Sequence, residues 1–238
     1  MSSLDALGFG ERGWGPALLQ GALMTLLVAS AGLLIGALLG ALVASGKLSG
    51  TRTGGALGNA YSAIFRGVPE LLVVYFVYFG SSAGLTAFGH ALGFEGFLGV
   101  PPFLAGALAV GVISGAYQAE LYRGAYLAIT KGELEAARAC GMGPSLLFRR
   151  IITPQVVRFA LPGLNNLWQV ALKDSSLISV TGLSELMRAS DVAARSTHQF
   201  FNFFLAGGAL YLALTVLSNR LFEIAERRAA RGVRRAEA

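Results

Sequence analysis

From Gly13 to Gly46 the chain runs 34 residues without a charged side chain. A helix needs roughly 20 apolar residues to cross a bilayer. A segment this long, lacking the basic n-region of a cleaved signal peptide, is read as a retained membrane span. The whole chain agrees with that reading: 54% of its 238 residues are hydrophobic and 13% charged, with a mean hydropathy of +0.61. That is more apolar surface than one soluble core can hide.

Five stretches are apolar enough to cross, near 17–45, 61–82, 98–129, 157–183 and 200–222. The expected fold is all-α and integral to the membrane, one transmembrane domain over 1–238 with five helices and no internal repeat, linker or soluble domain. The first and fifth stretches read as plain lipid-facing helices.

Orientation follows from the 19 Lys and Arg. Most lie in alternate connections: Lys47 and Arg52; then Lys131, Arg138, Arg149, Arg150 and Arg158; then Arg220, Arg227, Arg228, Arg231, Arg234 and Arg235. The other connections hold Arg12, Arg188 and Arg195. The positive-inside rule therefore predicts an outer N-terminus and a cytoplasmic C-terminus in a bacterial inner membrane, and an odd number of crossings requires opposite sides. The net charge of +6 is dispersed between apolar runs rather than gathered on a soluble face, which argues against nucleic acid as a partner and leaves membrane lipid as the solvent.

Within the first stretch Gly32, Gly36, Gly40 and Ala44 recur every fourth residue, a flat stripe on which another helix can lie closely. Packing inside the chain and contact with another subunit explain it equally well. Cys140, the one cysteine, excludes an internal disulfide or multi-cysteine metal site and is read as a small packing residue.

The longest basic connection, 130–155, is more than a linker. KGELEAARACGMGPSLLFRRIITPQ (Lys131–Gln155) predicts a helix from about Glu133 to Cys140, a break at Gly141 to Pro144, and a helix resuming to Ile152. Ala136, Ala137 and Cys140 make a small-residue face suited to a groove on another protein. Gly141 and Gly143 permit the turn, and Pro144 suits the first turn of the next helix.

Glu135-Ala136-Ala137, Gly141 four residues after Ala137, then Ile151 and Pro154 resemble the EAA motif of ATP-binding-cassette importer permeases, with Thr153 where the pattern has Leu. RGVPELLVVYFVYFG (Arg66–Gly80), GAYQAELYRGA (Gly115–Ala125) and LPGLNNLWQVALKDSSLISVTGL (Leu161–Leu183) are similar to the polar amino acid permeases of that family, the histidine, lysine-arginine-ornithine, arginine and opine group in particular. The resemblance implies a type I importer permease fold with a cytoplasmic coupling-helix loop. Glu135, Ala136, Ala137, Gly141 and Pro154 would be its ATPase-coupling residues. It also implies the partners: an ATPase dimer, a second permease subunit that is homologous or identical, and a periplasmic or lipid-anchored amino-acid-binding protein. The chain itself would hold no cofactor, ATP and magnesium being bound by the partner ATPase.

Ionisable groups at membrane depth are costly and usually face a protein interior or an aqueous path. Arg66 with Glu70, and Glu120 with Arg123, are four and three residues apart and are expected to form intramembrane ion pairs on single helix faces. Lys173 and Asp174, followed by Ser175 and Ser176, lie midway along the fourth stretch. Asp174 and Ser175, with Lys173 and Glu70, are the candidate substrate path; a satisfied interhelical bond is the plainer alternative. Trp168, Asn165 and Asn166 precede this site and can hydrogen-bond across the bundle, but are read as packing groups rather than ligands. The outer segment Ser184 to Gln199, with Glu185, Arg188, Asp191 and Arg195, is either a landing surface for a binding protein or a solvated loop.

No catalytic or metal-binding constellation is legible. GFGERG (Gly8–Gly13) follows no strand, and Gly40 to Lys47 has the wrong spacing and Leu48 where a phosphate loop needs Ser or Thr. His90 and His198 stand without a triad or ligand pattern. The chain is therefore expected not to be an enzyme. The rival reading is a secondary amino acid transporter driven by an ion gradient, which the intramembrane carboxylates permit.

Overall fold

A computed structural model describes residues 6–10 and 13–230. Arg12, Arg231, Arg234 and Arg235 of the charge argument, and Glu11 and Arg12 of GFGERG, lie outside the described residues. Among those described there is helix and turn but no strand.

The uncharged run forms α1, Gly15–Leu48. Its glycine stripe is spent inside the chain, against α4, Pro102–Leu127. A Cβ added at Gly36 would stand 2.7 Å from Gln118 Nε2, and one at Gly40 would stand 2.8 Å from Gln118 Cβ and 3.0 Å from the backbone N of Ala119. The two backbones therefore touch where only hydrogen fits, the close approach that small-residue seams allow in lipid. α1 is thus not a plain lipid-facing helix, although Leu34, Leu38 and Leu42 remain exposed on its other side.

The second expected span is displaced. α2 covers Arg52–Gly67, capped by Thr51, whose hydroxyl accepts from Gly54 N at 3.2 Å. Val68, preceding Pro69, is extended at φ −86° and ψ 136°, so the helix stops before reaching Glu70. The apolar helix begins afresh as α3, Glu70–Ala91, with a wider π turn over Phe76–Gly80. α2 rests on α1 and α4, where Tyr61 Oη donates to the carbonyl of Val112 at 2.7 Å.

α4 is the central helix: 67% of its apolar window is buried, against 11% for the last helix, α9, Phe200–Ala229. Between them come α5, Lys131–Ala139; α6, Pro144–Leu147; a second wide turn, Phe148–Ile152; and α7, Thr153–Asp174. A 3₁₀ segment, Ser175–Thr181, leads to α8, Leu186–Thr197. Four described helices, α1, α3, α4 and α9, are long and apolar enough to cross a membrane. α7, the expected fourth span, is not among them, because Arg158, Asn165, Asn166, Gln169, Lys173 and Asp174 dilute its hydropathy.

Two apolar cores hold the bundle. Val28, Ala107, Val110, Trp168, Leu172 and Ile178 join α1, α4, α7 and the 3₁₀ segment. Leu18, Ala22, Leu186, Ala193, Ala194 and Phe203 clamp α8 between α1 and α9. The outward face of α9, with Leu205, Leu212, Leu217 and Leu221 each at least 60% exposed, is apolar enough to require lipid or protein around it.

Candidate translocation site and coupling loop

Asp174 is the last residue of α7 and half-buried; Glu70 opens α3 and is also half-buried. The fold turns their carboxyl groups toward each other. Two carboxyl groups that share a weakly solvated site either hold a proton between them or take up a cation. The neighbouring residues divide. Lys173 is exposed, and as an adjacent helical position it does not share the face of Asp174. Ser175 is buried, and its hydroxyl donates to the carbonyl of Leu172 at 2.8 Å. Ser176 likewise donates to the Lys173 carbonyl, at 2.7 Å.

The two expected ion pairs fare differently. Arg123 Nε meets Glu120 Oε2 at 3.0 Å. Arg66 and Glu70 form no pair, because the break at Val68 and Pro69 destroys the register between them. Arg66 instead stacks over the ring of Tyr117, 5.4 Å from its centroid. Glu120 has a second cation, Lys47, whose ammonium bonds its other oxygen and also donates to Ser62 Oγ at 2.8 Å. With its side chain only 4% exposed, Lys47 ties the end of α1 to α2 and α4.

At the loop, Thr130 and Glu133 form a capping box that starts α5 two residues earlier than expected. Gly141 ends it in the left-handed region, φ +77°, with its N–H on the Arg138 carbonyl at 2.9 Å and the Met142 N–H on the Ala137 carbonyl at 3.2 Å. These two bonds are a Schellman closure. Ala137 is buried, while Glu135, Ala136 and Cys140 face outward, so Cys140 is an exposed helix end rather than a packing residue. Pro154 sits in the first turn of α7, where a missing N–H costs little.

At the opposite end of the bundle Glu185, fully buried, caps α8 by accepting from Met187 N at 2.8 Å and Arg188 N at 2.7 Å. Tyr211 Oη donates to it from α9 at 2.9 Å. Burial pushes its carboxyl above the ordinary range, against the pull of those three donors. Asp191 pairs with Arg195 on the exposed side of the same helix at 2.9 Å. The bond across α7 and α9 is made by Gln169, whose amide donates to Asn219 at 2.9 Å, rather than by Trp168 or Asn166.

Residues 32–231 match the family described as the binding-protein-dependent transport system inner membrane component. The chain belongs to that family. Among its relatives this permease is 49% identical over 235 residues to the octopine transport system permease protein OccQ of Rhizobium meliloti, covering 99% of each. It is 46% identical to the nopaline permease NocQ of Agrobacterium fabrum, over 97% of this chain and 98% of that one. It is 39% identical to the histidine/lysine/arginine/ornithine permease HisQ of Escherichia coli, over 94% and 98%. An amino acid ABC transporter solved with histidines superposes with a TM-score of 0.75 at 31% identity, covering 90% of this chain and 95% of that one. A MetNI methionine transporter in an inward-facing conformation shares the fold, with a TM-score of 0.60 at 19% identity over 93% and 96%. The permease is thus an all-helical ABC importer subunit of type I fold. Lys47, Tyr117 and the Glu185–Tyr211 bond are the contacts that local spacing does not reveal, since each joins segments far apart in the chain.

Proposed function

We propose that this chain carries basic amino acids or opines across the bacterial inner membrane as the multi-pass permease subunit of an ATP-driven importer. The reading is supported above all by the 49% identity to an octopine permease across 99% of both chains. α7 is the fifth crossing in this reading, its polar face turned to the translocation path, with the N-terminus outside and the basic C-terminus in the cytoplasm. Glu135 and Ala136 on α5, with Ala137 packed behind them, dock in an ATPase dimer that binds ATP and magnesium and performs the hydrolysis, while Gly141 and Pro154 set the angle between α5 and α7. A second permease copy or homologue completes the path, and α8 receives a substrate-binding protein on the outer side.

Asp174 and Glu70 hold the cationic end of the substrate, their facing carboxyl groups being the feature that favours a guanidinium or ammonium. Ser175, buried with its hydroxyl on the Leu172 carbonyl, backs this site from behind, and Lys173, on another face, attracts carboxylate in the vestibule. The test is uptake of radiolabelled arginine, histidine, lysine, glutamine and octopine into proteoliposomes holding the purified complex. Uptake of a basic substrate that needs both internal ATP and the binding protein is expected. Uptake without ATP would replace this reading with a gradient-driven transporter.

A further inference from the structure

Arg66 has no carboxylate within 4 Å among the described residues, although it borders a cleft that holds buried charge. The cleft measures about 440 Å³ and is bounded by Lys47, Asn59, Ser62, Arg66, Tyr117 and Glu120. Tyr117 fixes the guanidinium from one side by stacking, which leaves its donors free to point away from the ring. Across the cleft, Lys47 and Arg123 already neutralise Glu120 twice over. Counting Arg66 on the rim and Arg123 beside it, three cations stand against one carboxylate, and the cleft carries a surplus of positive charge.

Depth selects the ligand. Lys47 lies one residue from the end of α1, and Glu120 lies seven from the end of α4. At about 1.5 Å per residue these positions lie about 2 and 10 Å from the helix ends, and Tyr117 about 15 Å, so the cleft runs from the interface into one half of the membrane. In the orientation proposed above, on which this inference rests, that half is the cytoplasmic leaflet, where anionic lipid is the ordinary neighbour of basic side chains.

We propose that this cleft is a binding site for a phosphate-bearing anion, held by the guanidinium of Arg66 and the amide of Asn59 in the field of Lys47 and Arg123. Its fork matches a phosphate in two places at once, which an ammonium at the same point cannot. The occupant is the headgroup phosphate of an anionic lipid or a free phosphate from the cytosol. Bound there, it bridges α2 to α1 and α4 and stiffens the bend at Val68 and Pro69 through which α2 leads into α3.

The test uses the assembled transporter in neutral detergent. Phosphatidylglycerol retention is read by native mass spectrometry, and inorganic phosphate affinity by thermal shift, for the natural protein, Arg66→Gln and Arg66→Lys. One charge-assisted contact supports an expected loss of at least ~10-fold in affinity for Arg66→Gln, with Arg66→Lys between the two. Lipid retention lost in Arg66→Gln without any phosphate response identifies a headgroup site; a phosphate response without lipid retention identifies a soluble ligand. Equal behaviour of the natural protein and both variants toward both probes overturns the proposal. Because neither readout needs substrate or ATP, failure here is distinct from failure of the importer reading. Should Arg66→Gln not assemble, Asn59→Ala, exposed on the cleft rim, gives the same comparison.

Discussion

Lys47, at the end of α1, is paired with Glu120 of α4 although 73 residues separate them. The pair closes the seam that the glycines open: α1 and α4 touch backbone to backbone along Gly36 and Gly40, and the ion pair stops them sliding. Removing one partner of a nearly buried pair leaves the other charge exposed to a poor solvent.

Lys47→Met is therefore expected to lower stability by about 2 kcal/mol, less than for a wholly isolated charge because Arg123 still holds Glu120. Thermal unfolding of the purified complex checks this. Adding Glu120→Gln to the same chain should recover part of the loss; a double variant as unstable as the sum of its parts would mean that the two residues act separately.

The glycine seam makes a sharper contrast. Gly40→Leu must push against the backbone of Ala119 and Gly115 and is expected to cost about 1–3 kcal/mol, or to prevent assembly. Gly208→Ala, in α9, meets nothing within 4 Å and should be neutral or gain up to about 1 kcal/mol through helix propensity. Expression and melting temperature of the two variants, side by side, decide it.

For Gly141 the obstacle is conformation rather than space. Nothing lies within 4 Å of an added Cβ, but φ is +77°. Gly141→Val should cost about 2 kcal/mol locally, because a branched residue resists the left-handed region. The expected result is a complex that assembles and hydrolyses ATP but loses substrate-stimulated uptake. Normal coupling would remove Gly141 from the coupling role.

Asp174→Asn and Glu70→Gln should each weaken uptake of a basic substrate by ~10-fold or more, the scale of one charge-assisted hydrogen bond. Lys173→Met, altering an exposed side chain, should change it far less. Unchanged affinity and rate in both acid variants would return Asp174 to a purely structural bond.

Glu185 supplies a pH dependence. Burial raises its carboxyl above the ordinary 4.5, so the folded state favours the neutral acid. Its contribution is fully present below about pH 4.5 and is lost as pH rises through the higher folded value. Glu185→Gln keeps one acceptor oxygen, which Met187 N and Tyr211 Oη can share as they share one carboxylate oxygen, loses the bond from Arg188 N, and by removing the titration should flatten that part of the stability profile. An unchanged slope in chemical unfolding between pH 4 and pH 8 would contradict the assignment.

Some of the architecture could be read directly from the chain. The helix–turn–helix of the loop is local: Gly141 supplies the left-handed residue, Pro144 the new start, and both lie within a dozen residues of everything they organise. The break before α3 was also written locally, in Val68-Pro69, but the apolar count across 61–82 outweighed it and set the expected span nine residues early. The expected Arg66–Glu70 pair failed for the same reason, since side chains four apart meet only if the helix between them is unbroken.

The candidate site was legible in its residue types but not in its pairings. An acid at membrane depth announces itself by cost, so Asp174, Glu70 and Glu120 stand out without a structure. Which groups they meet depends on how helices far apart in the chain are packed: Asp174 with Glu70 through α7 and α3, Glu120 with Lys47 through α4 and α1. By itself, the sequence determined a lipid-solvated helical bundle, its basic ends and the helix–turn–helix of its longest basic connection, because hydropathy, charge and φ preference act over one or two helical turns. Only the tertiary structure decided that the glycine stripe is an internal seam, that Lys47 is buried and that Arg66 is left unneutralised, because each depends on packing between separate helices.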